Sequence, residues 1–495
     1  MRQEDVLDKK ENEPRAALNL HRTVQGSRRA SAAPGLLLKL AAAAMMSAGP
    51  VMASATGLME VWLAAQSHDP QGRVLMATRD AGATQADLAS ALWRPTLGLS
   101  ASTGLGGVDS RTAGASFTAP GFGASRGVEF ATSVNAGTAY RVGVVARQPL
   151  FDAERSARSR GLDIGAQAAE IQWQAGRQEW VLQLTKHYFD LLLAQRRQAL
   201  LQRQLEAVER AAAEARDRYT LGDAPVTDVH EAAARLEDLR AQAVAVRAEQ
   251  SLARSVLADL SGLPAASLHP LAPPLDVSVE PGFHTLVQWQ QWAREEGPTL
   301  RMLDLQLQAA QADTARHRTE TAATVDLLGS VTRERVGGSG DYGSASNLQQ
   351  QSFLGVAVNV PLYTGGARSA QLRMALQQEE RLRAERDRAA LQLDQQVRSA
   401  WTQLQSGSAR VGALAEALKA AQARLDATRL GRQVGDRTTL NLLQAENEAA
   451  AADLAWLQAR VMVLTARLQL MALAGRLNET QLQQVSQTLQ DLDAR

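Results

Sequence analysis

The chain has 495 residues, of which 53 are basic and 52 acidic, so its formal net charge is only +1. This balance offers no electrostatic argument for nucleic acid as a partner. The absence of cysteine excludes disulfides, thiolate metal sites and a cysteine nucleophile, and we expect no lipid anchor on cysteine.

Residues 1–55 are expected to be a disordered leader followed by a signal peptide. Residues 1 to about 34 are polar, and Arg28-Arg29 then precede a small apolar run that ends in Ala53-Ser54-Ala55. A basic start, an apolar run and a small-x-small site are the features of a secretory signal, here with cleavage near Ala55. A poorly formed amphipathic helix is the alternative.

Residues 56–262 form a first predicted repeat. Its pattern is helical at first, dips at His68-Asp69-Pro70, and alternates from Pro95 to Thr103. The predicted elements are a helix over about 57–93, a strand over 95–103, an exposed Gly- and Ser-rich loop over 104–127, a strand that begins at Tyr140, a long helix over 153–219 and a return helix over 226–260.

A proline-rich connector over residues 263–283 separates this repeat from a second one over residues 284–475. Residues 476–495 are expected to be a polar C-terminal tail. The second repeat is predicted to contain a helix over about 285–319, a strand over 325–336, a loop over 337–348, a strand over 353–360, a long helix over 367–430 and a return helix over 438–473.

The two long helices share a heptad register. Apolar or small residues from Leu201 to Tyr219 step by alternating fours and threes, and the same steps recur in the second repeat, from Leu414 to Arg432. This spacing predicts coiled-coil-like packing. Each long helix spans about 95–100 Å, so two shorter helices laid end to end could match it. An ordinary long surface helix is the alternative.

The predicted strands alternate apolar residues with small or polar ones. Val356 and Val358 face one way, whereas Gly355 and Ala357 face the other. Strands of about 10 residues with this alternation are typical of transmembrane β-strands, and no stretch after the signal has the ~18 consecutive apolar residues of a membrane helix. Four strands cannot close and open edges are excluded from lipid, so we expect three or more chains per barrel. Two soluble hairpins that cap a helical rod are the alternative.

The strand-to-helix junctions Pro149-Leu150-Phe151 and Pro361-Leu362-Tyr363, with the paired tip turns that contain Gly222 and Gly435, resemble the TolC family of outer membrane export channels. The resemblance covers about residues 57–475 and implies a mixed α/β membrane protein. It implies a homotrimer with a 12-stranded transmembrane β-barrel in the outer membrane, about four strands per chain, and a long α-helical tunnel in the periplasm. It also implies an inner-membrane ABC transporter or other pump and a periplasmic adaptor that dock at the tunnel tip.

In this family, hydrogen bonds and salt bridges between the two helical hairpins close the tunnel tip. The resemblance places the acidic partner of this periplasmic gate on Asp228, beside Thr227, and the basic partner on Arg437. A carboxylate and a guanidinium group can form a bidentate pair, which at an exposed tip contributes about 0–1 kcal/mol. The alternative is that Asp228 only stabilises a helix N-terminus by its charge.

The tip departs from the family pattern at three positions. The tyrosine that often precedes the second turn falls on Arg432, and the acidic ring that narrows the tip falls on the uncharged Asn441 and Gln444. The resemblance therefore does not extend to strong cation selectivity or to block by trivalent cations.

The sequence contains no enzyme-like constellation of residues. The seven histidines lack metal-ligand spacing, and Gly365-Gly366 lacks the Lys-Ser/Thr of a phosphate loop, so we expect neither catalysis nor a cofactor. We interpret the chain as a passive exit duct for an exported protein, such as a toxin in type I secretion. Multidrug efflux is the alternative, and a soluble periplasmic coiled-coil scaffold is a remote one.

Overall fold

The computed structural model describes residues 56–121, 123–223, 225–273, 284–318, 323–434 and 436–489. The expected leader and signal peptide over 1–55 and part of the proline-rich connector, residues 274–283, lie outside these ranges. Within them, every helix falls short of the length or the apolar character that crossing a bilayer would require.

The described helices and strands follow the same order twice, as the sequence predicts. The first half contains α1 (Leu58–His68), α2 (Pro70–Ala91), β1 (Thr96–Ala119), β2 (Gly123–Asp152), α3 (Ala153–Thr220) and α4 (Val226–Ser261). The second half contains α5 (Leu286–Glu295), α6 (Pro298–Arg318), β3 (Thr324–Gly340), β4 (Gly343–Asn359), α7 (Ala367–Gln433) and α8 (Thr439–Leu473). A short 3-10 turn lies at Ala265–Ser267, and α9 (Glu479–Thr488) follows the second half.

The break between α1 and α2 lies at the predicted dip in the helical pattern. Asp69 is extended, and its carboxylate accepts a hydrogen bond of 2.9 Å from the backbone N–H of Gln71. Pro70 is the first residue of α2, where the missing N–H costs no hydrogen bond. Pro298 begins α6 in the same way, so both halves interrupt their opening helix with a proline.

The strands are much longer than the sequence predicts. The four strands form one antiparallel sheet in the order β1-β2-β3-β4, and β1 and β2 comprise 24 and 30 residues. The prediction of loops over 104–127 and 337–348 is wrong, because most of these residues pair in register, as in Ser110 with Thr132 and Val336 with Asn347. Glycine and serine have weak intrinsic strand preference, and here the cross-strand hydrogen bonds determine the structure.

The long helix α3 is flanked by α2 along one part of its length and by α4 along another. Gly82 of α2 lies so close to α3 that a Cβ there would approach the Cβ of Ala169 to 2.0 Å. Further along, the predicted heptad residues Leu201 and Val208 are buried against Leu236 and other apolar residues of α4. The shorter helices therefore share the length of the long one, as the helix lengths suggest.

An aromatic core lies where α1, α3 and the segment after α4 meet. Trp62 is fully buried and contacts Trp180 edge to face, with ring centroids 4.7 Å apart. The Tyr188 hydroxyl donates to the carbonyl of Thr56 at 2.8 Å and accepts from the N–H of Leu271 at 2.6 Å. These hydrogen bonds, together with the buried rings, hold the start and the middle of the chain together.

The segment after Gly475, which the sequence marks as a polar tail, contains the helix α9. Its residues Leu482 and Val485 are buried within the same core as α1. The Ser486 hydroxyl accepts a hydrogen bond of 3.1 Å from the backbone N–H of Met59. Two buried side chains in a mostly polar segment are too weak a pattern to mark a helix before the packing is known.

Candidate functional site: the tips of the helical hairpins

The first hairpin, α3 with α4, closes through a glycine turn. Gly222 has φ = 78°, the left-handed conformation that favours glycine. The N–H of Asp223 donates to the carbonyl of Arg218, and the N–H of Gly222 donates to that of Tyr219, both at 2.9 Å. This pair of hydrogen bonds is a Schellman motif, and an ion pair of 3.1 Å between Arg218 and Asp223 spans it.

The second hairpin, α7 with α8, turns in the same way at the corresponding place in the second half. The N–H of Asp436 donates to the carbonyl of Gly431 at 2.9 Å, the counterpart of the bond between Asp223 and Arg218. The predicted turn glycine itself, Gly435, lies outside the described residues. The Thr438 hydroxyl then caps α8 by accepting a hydrogen bond of 3.2 Å from the N–H of Asn441.

The predicted gate residues lie at these turns but do not meet within one chain. Thr227 and Asp228 are exposed in the first turn of α4. Arg437 packs over Gly431, and its Nε lies 3.9 Å from a carboxylate oxygen of Asp436. Among the described residues, no ion pair joins Asp228 to Arg437. The pair therefore stays a prediction, and it requires either a movement of the tip or a second chain.

A different ion pair connects the two hairpins. The Arg432 guanidinium donates to the carboxylate of Glu214, so the end of α7 is joined to the last turns of α3. Sequence reasoning singled out Arg432 for replacing a tyrosine but missed its partner. The internal repeat aligns Arg432 with Tyr219 of the first hairpin, but it carries no signal for Glu214, which lies 218 residues away in the sequence.

The other two tip positions make local contacts. Gln444 donates through Nε2 to Glu448 at 3.2 Å, and Asn441 contributes its backbone N–H to the cap of α8. Asn441 occupies the position in the second repeat that Asp228 occupies in the first, so the acidic residue of the first hairpin has an uncharged counterpart.

A cleft of about 850 Å³ lies between α3, α4 and the start of α8. Asp228 lines it together with Thr438 and Gln444, so the beginnings of α4 and α8 face one cavity. The charged lining residues are Glu214, Arg218, Asp223, Asp228, Glu231, Arg235 and Glu446. Carboxylates outnumber guanidinium groups there, so the cleft is suited to a partner that presents basic or hydrogen-bond-donating groups.

The strand-to-helix junctions show one buried proline and two exposed aromatic rings. Pro149 is buried at a register shift in β2, and Asp152 then caps α3 by accepting from the N–H of Arg155 at 3.0 Å. At the second junction Pro361 is half-buried. Phe151 and Tyr363 are 54% and 89% exposed, so both aromatic residues face outward at the end of the sheet.

Within the described part of the chain, no group of three or more His, Cys, Asp or Glu side chains could hold a metal ion. The tip is instead built from hydrogen bonds, exposed ion pairs and helix caps. Such contacts are individually weak, about 0–1 kcal/mol each.

Comparison with known proteins identifies the same architecture elsewhere. The family described as "Outer membrane efflux protein" matches residues 64–263 and 289–476. The outer membrane efflux protein BepC of Brucella suis is 29% identical over 365 residues, 72% of this chain and 76% of that protein. The proteases secretion protein PrtF of Dickeya chrysanthemi is 27% identical over 443 residues, 88% of this chain and 91% of that protein.

Solved structures share the fold at lower identity. The outer membrane protein VceC of Vibrio cholerae superposes with a TM-score of 0.64 at 18% identity, covering 84% of this chain and 96% of that one. The CmeC outer membrane channel of Campylobacter jejuni gives a TM-score of 0.64 at 14% identity and covers 88% and 90% of the two chains. These likenesses concern the fold: a helical tunnel and a four-stranded sheet per chain.

Proposed function

Because the chain belongs to the outer membrane efflux protein family, we propose that it is the outer membrane channel-tunnel of a tripartite export machine. In this role it is a passive exit duct, with its helices in the periplasm. An inner-membrane ABC transporter or other pump supplies the energy, and a periplasmic adaptor docks at the tips of the hairpins.

The free edges of the sheet support a trimer. β1 and β4 are the outer strands of the four-stranded sheet, and each has one edge without a partner strand in the described chain. Unpaired backbone groups are not tolerated in the hydrocarbon core, so the edges must be paired by other copies. Three copies supply 12 strands, which form one closed barrel with a water-filled interior.

The length of the helices supports a tunnel. The 68 residues of α3 span about 100 Å at 1.5 Å per residue, and α7 with 67 residues is nearly the same. The sheet lies at one end of these helices and the two glycine turns lie at the other. A duct built on this plan has its outer opening at the barrel and its gate at the turns.

For the cargo we propose a protein, exported by type I secretion. The observation that carries this choice is the similarity to PrtF over 88% of the chain, since that relative is named for the secretion of proteases. A second such relative, the alkaline protease secretion protein AprF of Pseudomonas aeruginosa, is 27% identical over 343 residues.

Small-molecule efflux is the second candidate, favoured by the similarity to BepC, which is named as an efflux protein. Deletion of the encoding gene distinguishes the two. Loss of an extracellular protein with unchanged drug susceptibility supports secretion. Increased drug susceptibility with an unchanged set of extracellular proteins contradicts secretion and supports efflux.

The gate is tested by single-channel conductance of the purified protein in planar bilayers. We expect larger conductance for Asp228→Ala and for Arg437→Ser, because each would remove one partner of the proposed gate pair, which would contribute about 0–1 kcal/mol and would recur by symmetry. Asp80→Ala and Arg410→Ser make the same chemical changes at exposed positions away from both turns and serve as controls.

Each outcome has a distinct meaning. Equal conductance of the gate variants and the wild type would be consistent with a channel but would contradict the gate role of Asp228 and Arg437. Failure of every preparation to insert, together with recovery of the protein in the soluble periplasmic fraction, would contradict the channel and favour the coiled-coil scaffold.

A further inference from the structure

The two faces of the sheet differ in chemistry. One register row joins Leu99, Val144 and Val331, all of them exposed apolar residues. We call the face that carries this row the apolar face. The neighbouring row joins Ser100, Gly143 and Thr332 on the opposite, polar face. In the proposed barrel the apolar face contacts lipid and the polar face lines the lumen.

Two arginines interrupt the apolar face at the same end of the sheet. Arg333 and Arg335 follow Val331 at intervals of two residues along β3, so they lie on the same face. Both are exposed, and they stand opposite Val142 and Tyr140 of β2. On the other side their partners in β4 are Gln350 and Leu348, so no neighbour in register carries a negative charge. An arginine among apolar side chains that face lipid requires an anionic partner or water.

The arginines of the polar face have such partners. Arg141 donates three hydrogen bonds to Glu334, at 3.1, 3.0 and 2.9 Å, and Arg147 donates to Asp326 at 2.5 Å. By contrast, no hydrogen bond or ion pair joins Arg333 or Arg335 to any residue in the described ranges. The sheet thus neutralises the charges on one face and leaves the two on the other face unmatched.

A second copy of the sheet would not supply the missing carboxylate. At the two free edges, all of β4 and residues 96–108 of β1 contain no Asp or Glu. The first carboxylate of β1, Asp109, lies six residues beyond Thr103, which is level with Arg335. In β3 the carboxylates are Asp326 and Glu334, and both take part in the pairs of the polar face. No carboxylate of the sheet level with the two arginines is left to pair with them, so we expect their counter-charge to come from outside the protein.

The distance of the two arginines from the helical end of the sheet indicates at which level of the membrane the counter-charge lies. Arg333 is eight residues beyond Val325, which stands near the helical end of β3. Eight residues cover about 27 Å along a strand, or about 20 Å along the membrane normal at a tilt of about 40°. The apolar band of outer membrane barrels is about 25 Å tall, and aromatic residues lie at both of its boundaries. Tyr140, opposite Arg335, is an aromatic residue at this level of the sheet. Arg335, two residues further along, lies about 26 Å up on the same arithmetic. The backbone of Arg335 is thus at the outer boundary of the band, and the long side chain of Arg333 extends toward it from just below.

We propose that Arg333 and Arg335 bind the phosphate groups of a phosphorylated lipid in the outer leaflet of the outer membrane. A guanidinium group recognises phosphate through two parallel hydrogen bonds, and the aromatic ring of Tyr140 fits the interfacial level. This inference rests on the proposed function, because it needs the apolar face to contact lipid.

The test is a binding measurement on the purified full-length protein in detergent micelles. Fluorescently labelled lipopolysaccharide is compared with the same lipid after enzymatic removal of its phosphates. We expect the wild type to bind the phosphorylated form about tenfold or more tightly, since hydrogen bonds to charged groups are the strong ones. Arg333→Gln with Arg335→Gln should abolish this preference and leave binding of the dephosphorylated lipid unchanged.

A matched control loses the same two charges elsewhere. Arg373→Gln with Arg410→Gln removes two exposed arginines of α7, and this variant should keep the wild-type preference. Equal affinity of the wild type for both lipids, or an unchanged preference in the Arg333/Arg335 variant, would overturn the inference. Complete competition by millimolar inorganic phosphate would also overturn it, because the site would then take free phosphate.

Bilayer conductance of the same preparations distinguishes this inference from the proposed function. Steady channels without a phosphate preference contradict the lipid site alone. Preparations that form no channel contradict the proposed function, whatever their lipid binding.

Discussion

The two halves of the chain share a backbone plan but differ at their tips. In both, a helix of nearly 70 residues ends in a turn whose N–H bonds back five residues to a carbonyl at 2.9 Å. Beyond the turn the side chains diverge. The first half has Tyr219 and Asp228 where the second has Arg432 and Asn441.

The shared backbone and the different side chains show which features the architecture requires. The backbone of the turn needs a residue that accepts positive φ, and glycine stands at this position in both halves of the sequence. The side chains around the turn are exposed or half-buried, so packing does not restrict them. They are the positions at which an acidic residue, a basic residue and an amide make the tip chemically asymmetric.

Substitution of the buried aromatic core has the largest expected effect. Trp62→Ala should lower the free energy of unfolding by about 3–5 kcal/mol, because it removes a fully buried ring that packs on Trp180. Trp289→Ala is the matching change in the opening helix of the second half, where the ring is 4% exposed. Urea denaturation followed by circular dichroism measures both.

The control is Leu63→Ala, at a side chain of α1 that follows Trp62 and is 54% exposed. It should change the free energy of unfolding by less than about 0.5 kcal/mol. A small effect of Trp289→Ala beside a large one of Trp62→Ala would show that the two halves do not anchor the core equally.

The next effect concerns the turn. Gly222→Ala should destabilise the protein by about 1 kcal/mol or more, because at φ = 78° the Cβ of alanine lies too close to the backbone carbonyl oxygen. Gly412→Ala, at an exposed glycine inside α7 with open space around it, should stabilise by about 0.5–1 kcal/mol. The opposite signs in thermal unfolding are the expected result. Destabilisation at both positions would contradict the conformational explanation.

A smaller effect concerns the ion pair between the hairpins. Arg432→Tyr introduces the residue type that Tyr219 has at the equivalent position of the first half, and it removes the contact with Glu214. A double-mutant cycle with Glu214→Gln should give a coupling free energy of about 0.5–1 kcal/mol, as for partly exposed pairs. The same cycle with Glu231→Gln, another carboxylate of the cleft, should give a value near zero. Equal couplings would show that Arg432 responds to the general field of the tip.

The smallest effect is a pH dependence at the C-terminal segment, which is joined to both halves. Hydrogen bonds from Arg476 lower the pKa of Glu296, and a hydrogen bond from Gln66, aided by Arg177, lowers the pKa of Glu479. A carboxylate with a lowered folded pKa stabilises the fold above its unfolded value, about 4.3, and this contribution disappears as the pH falls through the folded pKa.

The unfolding free energy of the wild type should therefore fall more steeply below pH 5 than that of Glu296→Gln with Glu479→Gln. We expect a difference below about 1 kcal/mol per pair, because both carboxylates are largely exposed. Glu416→Gln, at a carboxylate 78% exposed on α7, should leave the pH profile unchanged. Identical profiles for the double variant and the wild type would show that neither pair contributes.

The duplicated order of elements, the long helices and the location of the tip turns were predictable from the amino-acid sequence. These features are local: heptad spacing, proline at a helix start and glycine at a helix end depend on residues that are near one another in the chain. For the same reason the break at Asp69 and Pro70 was predictable. The equivalence of Tyr219 with Arg432 was predictable as well, because the heptad steps of the two long helices align.

The length of the strands, the place of α9 and the partner of Arg432 depend on contacts between residues far apart in the chain. Glycine- and serine-rich segments become strands because another strand supplies hydrogen bonds, which no local pattern records. Leu482 and Val485 of α9 are buried in a core whose other members include Leu58 and Trp62, at the opposite end of the described chain. Glu214 and Arg432 are 218 residues apart, and packing of the two hairpins alone brings them together.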